Sequence, residues 1–301
     1  MSSEKLPRRD FMSKSAALAA LSIYSWPQWL QGASTQLSPN PTIKEIVDAI
    51  VSIVPGGEIT ETVDTFKSGD PGQICSGIVS TFLATAEVIQ KTADLGANLI
   101  ITHEPTYYNH LDRTEWLQED RVYQYKKSLI EKNGITVWRF HDYWHRVRPD
   151  GILQGLISLL GWEAHQNPQE PTIFNIPETT LGDLGLMFKK KMNLPRPFLV
   201  GAPKMTCSSV ALLPGAWGGE NQIGMWSKHE FDVMVVGEVA EWETSEYIRD
   251  ATFAGMNRGL IILGHAVSEE PGMKYLVEWL KKLLDHIPVY HVPSGDAFRA
   301  V

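Results

Sequence analysis

A chain of 301 residues with 43% hydrophobic content has material for one large domain or two smaller ones. Its 35 acidic side chains outnumber 27 basic ones, and the net charge of -8 removes the electrostatic basis for generic nucleic-acid binding. Two cysteines, Cys75 and Cys207, exclude a disulfide framework and an all-cysteine zinc site, while a single bridge between them stays open.

Residues 1–34 do not read as fold. Arg8-Arg9-Asp10-Phe11-Met12-Ser13-Lys14 resembles a twin-arginine export signal, and the apolar run from Ala16 to Ile23 suits its hydrophobic region. This predicts export by the twin-arginine route, to the periplasm or to an anchored position on the outer side of the membrane. Residues 35–41 are a polar, proline-containing linker. No later stretch reaches the roughly 18 apolar residues of a transmembrane helix, so no stable span is predicted.

From Thr42 the elements alternate. Thr42 and Glu45 form a capping box before the periodic Ile43, Ile46, Val47 and Ile50, which predicts a first helix. Residues 56–72, rich in Gly, Asp and Thr, read as a loop. A strand over 77–83, a helix over 84–95 and a strand over 99–101 make a βαβ unit with Gly96 as the helix-terminating glycine. A helix over 119–132, a strand over 135–140 and a helix over 151–160 continue the pattern. Residues 167–177 carry three prolines and divide a first α/β lobe (42–166) from a second (167–301). The second lobe is predicted to hold a capped helix over 180–192, strands over 198–200, 209–213 and 232–236, and a helix over 241–254. A strand over 260–263, a long helix to Leu284 and a short strand over 289–292 complete it. The turn Pro214-Gly215-Ala216-Trp217-Gly218-Gly219 is flexible enough to bind an anion through its N–H groups.

Several predicted strands end in metal-ligand residues. The strand at Ile101 runs into His103-Glu104, and that at Phe140 into His141 and His145. The strand at Leu263 runs into His265 and Glu269, and that at Val236 into Glu238. Open α/β sheets carry their chemistry at the carboxyl ends of strands. If these strands are neighbours, their ends share one rim. His265 and Glu269, four apart, face the same way if the helix begins early. Five donors exceed the four of a closed zinc site; two divalent ions sharing ligands, in metal-assisted hydrolysis, use them better. The competing reading splits the set into a core histidine, a loop histidine and a helix-capping glutamate. His165, His229, His286 and His291 read as surface or packing residues, and His110 as a pocket residue. Trp138, Trp144, Trp162 and Trp242 read as core and pocket wall.

At these residues the sequence resembles the dinuclear-metal-centre proteins known as Nif-three-like or GTP cyclohydrolase I type 2-like. Gly96 to Pro105 resembles the family's strand ending in His-His-Pro. Ile135 to His145 resembles its strand leading to His-Thr-x-x-Asp. Gly215 to Gly219, Gly237-Glu238 and Gly264-His265 through Glu269 follow in the family's order. The resemblance spans roughly residues 43 to 292. It implies two facing α/β lobes with a metal cleft between them, a small-molecule substrate of nucleotide or phosphoester type, and a homohexamer. Two divalent ions (Zn, Fe, Mn or Ni) would be held by His103, Glu104, His145, His265 and Glu269, with His141 and Glu238 as catalytic groups. The family's second histidine falls on Glu104 and its aspartate on His145, which keeps three imidazoles and two carboxylates. Trp242 stands near where many members carry a further histidine. A metal-dependent hydrolase is the leading function; a non-enzymatic metal-handling protein and a ring-forming scaffold are the alternatives.

Overall fold

The structure, a computed structural model, describes residues 37–299, so the expected signal over 1–34 lies outside the described residues. The chain enters through α1 (Ile43–Ser52), where Thr42 Oγ1 accepts from Glu45 N and the Glu45 carboxylate accepts from Thr42 N at 2.7 Å. Ile43, Ile46, Val47 and Ile50 are its buried stripe. There follow β1 (Phe66–Ser68), β2 (Ile78–Thr81), α2 (Ala86–Asp94), β3 (Leu99–Thr102), α3 (Arg121–Lys132) and β4 (Thr136–Arg139). A short α4 (Asp142–Arg146) and α5 (Gly151–Leu160) close this half.

The second half runs β5 (Ile173–Thr180), α6 (Leu181–Lys191), β6 (Phe198–Val200), β7 (Thr206–Leu213), α7 (Gly219–Lys228) and β8 (Val233–Val236). A π-helical turn over Glu241–Ser245 leads into α8 (Glu246–Phe253), then β9 (Gly259–Ile262), α9 (His265–Leu283) and β10 (Val289–His291).

Two five-stranded sheets result, in the orders β1-β4-β3-β2-β10 and β5-β7-β8-β9-β6. Their inner strands are parallel, and antiparallel β1, β5 and β6 cover edges. The four residues of β2, β3, β4 and β8 are buried throughout, as strands covered on both faces are. One face of the second sheet packs Phe174, Leu212 and Val235 with Leu156 of α5 and Phe188 of α6. The other packs Met234 and Leu260 with Trp226 and Ile248. Under the first sheet, Trp138, Phe140, Trp144 and Trp279 form an aromatic layer with centroid spacings of 4.8 to 6.5 Å.

The structure departs from the sequence reading at several elements. β1 lies inside the expected loop, because three half-buried residues are enough for an edge strand. β5 lies inside the expected divider; Pro177 falls where its pairing with β7 breaks register between Asn175 and Thr179, a position at which proline is tolerated. Helix α7 has only Gly219, Gln222 and Trp226 buried, too sparse a stripe to read. The strand over 289–291, expected in the second lobe, pairs in parallel with β2 of the first sheet. The rim imagined from neighbouring strands also takes another form: β3 and β4 are neighbours, but β9 belongs to the other sheet. Trp242, expected in core or pocket wall, is 78% exposed. Cys75 and Cys207 are separate buried thiols. Among the described residues, no helix is long and apolar enough to cross a membrane.

Helix α9 ties the halves together. It crosses α5 where both present glycine: a Cβ on Gly155 would meet Pro271 O at 2.3 Å, and one on Gly272 would meet Ile152 Cα at 2.5 Å. Backbone contact this close brings the start of α9 to the carboxyl ends of β3 and β4.

Candidate metal centre

Four imidazoles reach one space from three segments. His103 follows β3, His141 and His145 flank the first turn of α4, and His265 is the first residue of α9. Each has its Nδ1 engaged, which turns Nε2 toward the shared space. His103 Nδ1 lies 3.2 Å from Phe140 O, and His141 Nδ1 lies 2.9 Å from Asp142 Oδ1. His145 Nδ1 lies 2.8 Å from Asp150 Oδ2, and His265 Nδ1 lies 3.2 Å from Glu238 Oε2. A carbonyl or carboxylate on the far ring nitrogen is how metal-binding imidazoles have their tautomer and orientation fixed.

Two carboxylates complete the space. Glu269 sits one helical turn after His265, its Oε2 3.2 Å from His265 Nε2 and 3.4 Å from His103 Nε2. Glu104 Oε1 lies 3.6 Å from the Nε2 of both His141 and His265, while its Oε2 is held at 3.1 Å by Arg139 Nη2. Donor atoms of His103, His141 and His145 all lie within 4.8 Å of one another, as do those of His103, Glu104 and Glu269. The two groups share His103. An imidazole has one lone pair to give, whereas a carboxylate has two oxygens and can span two ions.

The electrostatics suit a set of metal donors. Full burial holds His103 well below the usual imidazole range, so it is a neutral donor. Burial also lowers His141, with the charge of His145 adding to it. Burial opposes charge on His265, but its hydrogen bonds to the Glu104, Glu238 and Glu269 carboxylates outweigh it and push this imidazole up to about 12. Glu269 is raised by burial, against the pull of His265. His103 Nε2 is buried with no hydrogen-bond partner, a costly state that a bound cation relieves. The residues present therefore fit a divalent metal, with nitrogen and oxygen donors suited to first-row ions.

The Gly-rich turn has a steric role here. Gly215 has φ +79°, and a Cβ there would stand 2.0 Å from Glu269 Oε1. Its N–H donates to Ser268 Oγ at 3.0 Å and its carbonyl accepts from Glu238 N at 3.1 Å, so the turn is pressed against the ligand helix.

All seven residues expected at the site lie in this cluster or on its border. His141, expected to act beside the ions, stands among the donors. His145 groups with His103 and His141, and Glu238 is the exposed rim residue. Sequence reasoning missed four supporting residues. Asp64 accepts from the backbone N–H groups of His141, Asp142 and Tyr143 at 2.8 to 3.0 Å and so fixes the start of α4. Burial pushes its carboxyl up to about 6, against those same donors. Asp142 and Asp150 aim two imidazoles, and Asp150 also caps α5 through Leu153 N. Arg139, fully buried, donates to His103 O, His110 O and Glu104. An aspartate next to a histidine was a readable signal; Asp64 and Arg139 gave none.

With this geometry in hand, the comparisons are specific. The family model for Duf34/NIF3 (NGG1p interacting factor 3) matches residues 41–294. A protein of Clostridium perfringens named GTP cyclohydrolase 1 type 2 homolog is 23% identical over 255 residues, covering 81% of this chain and 92% of that protein. Among solved structures, a Bacillus cereus protein related to NIF3 superposes with a TM-score of 0.71 at 16% identity, over 88% of this chain and 100% of the other. A hypothetical protein of Staphylococcus aureus gives 0.69 at 16% identity, over 87% and 100%. HcgD of Methanocaldococcus jannaschii gives 0.58 at 18% identity, over 84% and 98%. At these identities the superpositions speak to the fold.

Proposed function

This chain belongs to the Duf34/NIF3 family, and from that premise we propose that its His/Glu centre binds two divalent metal ions and acts as a metal-dependent hydrolase on a nucleotide or phosphoester-type substrate. The observation that carries this reading is the set of four Nδ1-anchored imidazoles, with His103 Nε2 buried and unsatisfied among them. His103, His141 and His145 would hold one ion. His265, Glu104 and Glu269 would hold the other.

When bound, such ions supply Lewis-acid polarisation and make water acidic near neutral pH. The protein's own part is to position and to move protons. Arg139 occupies one oxygen of Glu104 and leaves the other for the centre. Glu238, exposed and 3.2 Å from His265, is placed to carry protons between the centre and solvent. Metal analysis of the purified protein should find two ions per chain. Turnover against phosphoesters, cyclic nucleotides and GTP should vanish in His265→Ala while the circular dichroism spectrum is kept. Turnover that survives His265→Ala would count against the proposal. GTP joins the panel because of the name of the Clostridium relative.

Twin-arginine export and a homohexameric assembly belong to the same proposal. A reporter fused to residues 1–40 that stays in the cytoplasm would remove the first. A monomer mass by sedimentation would remove the second.

A further inference from the structure

A cavity of about 460 Å3 opens on the Glu104 side of the centre, lined by Thr85, Glu104, Thr106, Tyr108, His110 and Lys126 among others. Two of these residues have needs the protein does not meet. Lys126, on α3, is only 6% exposed. Its Nζ donates to Thr106 O and lies 5.2 Å from the centroid of the Tyr108 ring. Among the described residues no carboxylate forms an ion pair with it. The Asp112 carboxylate, whose field reaches it, is already engaged by Lys67 at 3.3 Å. A buried cation without an anion is unfavourable unless something else supplies the charge. Thr106 is fully buried, and its hydroxyl has no hydrogen-bond partner. The first residues of α2, Thr85 and Ala86, also stand in the wall, where the helix dipole favours negative charge.

We propose that this cavity is an oxyanion site that takes a phosphate group, with Lys126 as its counter-charge and the Thr106 hydroxyl as a hydrogen-bonding partner. Glu104, the one carboxylate in the wall, has its charge offset by Arg139, with Nη2 at 3.1 Å. Because Glu104 belongs to both the wall and the centre, a phosphate held here places the rest of its molecule beside the donors. That the phosphate is part of the substrate rests on the hydrolase reading above; the anion site itself does not.

The test is calorimetric titration of inorganic phosphate into the protein as purified, at pH 7. One phosphate should bind per chain. Lys126→Met should weaken it by about 10-fold or more, as loss of a charge-assisted hydrogen bond predicts. Thr106→Val, which only replaces an unpartnered hydroxyl by a methyl, keeps the fold and should weaken binding by several-fold. His265→Ala should leave it within about 2-fold. Wild-type binding in both Lys126→Met and Thr106→Val would overturn the proposal. So would binding lost only in His265→Ala, which would put the anion on the metal centre. If no phosphoester, cyclic nucleotide or GTP is turned over while phosphate binding still depends on Lys126, the hydrolase reading falls and the anion site stands.

Discussion

Replacing Gly215 with alanine should empty the metal centre without touching a ligand. The new Cβ would stand 2.0 Å from Glu269 Oε1, whereas an unbonded carbon and oxygen approach to about 3.3 Å. Something must therefore retreat by more than about 1 Å. The Gly215 backbone is held at both its N–H and its carbonyl, by Ser268 and Glu238, so the Glu269 carboxylate is the part that yields. Metal sites tolerate ligand displacements of about 0.2 Å, so the second group of donors fails. Gly218 is the control: with φ +74° and ψ 149° its backbone also disfavours a side chain, but a Cβ there has nothing within 4 Å. An alanine at a positive φ of this kind costs on the order of 1–3 kcal/mol. Gly215→Ala should lose a further ~1–2 kcal/mol with the His265–Glu269 contact. The assay is metal per chain by mass spectrometry after dialysis, alongside thermal melts. Gly218→Ala should keep its metal, and Gly215→Ala should lose at least one ion per chain. Equal metal content in the two variants would refute the reasoning.

Arg139→Met should destabilise by about 3–5 kcal/mol, since it removes a fully buried charge that holds Glu104, His103 O and His110 O together; urea melts that move by less than 1 kcal/mol would contradict this. Chelation of the purified protein should lower its melting temperature, and added zinc or manganese should restore it, because a bound ion stabilises only the folded chain; an unchanged melt would deny an ion among these donors. Burial lowers Lys126 to about 8 in the folded chain, below its unfolded value. Between pH 8 and 10.5 the unfolded chain thus binds more protons, and stability rises with pH across that window. Below it the burial cost is complete, up to about 3 kcal/mol. Lys126→Met should therefore melt higher than wild type at pH 7, and the gap should close towards pH 10.5; a gap that widens would invert the sign of the argument.

The sequence made the parallel strands and the ligand types legible because both obey short-range rules. Runs such as Leu99-Ile100-Ile101 announce a strand buried on both faces, and a histidine straight after such a run is placed by it. His265 and Glu269 were readable as a pair through helical spacing alone. The sheet to which each strand belongs is a long-range fact, which is why one rim was imagined where two sheets meet. Asp64 and Arg139 escaped for a similar reason. Their partners lie 77 to 79 and 29 to 36 residues away along the chain, and neither sits in a local pattern. The turn at Gly215 was legible as a turn, but its purpose depends on a carboxylate from another segment. The resemblance makes His141 a catalytic group and not a ligand, and its neighbours in sequence show only Asp142, not the stacked His103 ring 4.6 Å away.

The pairing of β10 with β2 bears on when the His/Glu cluster can assemble. β2 must wait for a partner roughly 200 residues downstream before its exposed edge is closed. Glu270, next to the ligand Glu269, accepts from Phe82 N, from His291 and from Ser294, so the same late segment secures the beginning of α9. Chains fold progressively from the N-terminus during synthesis, yet here His103 and His141 are made long before the elements that hold His265 and Glu269 in place. A chain halted before β10 would carry all of its donors, but with the first sheet unclosed and Glu270 without His291 and Ser294. The complete set of donors therefore comes together only when the chain has nearly finished.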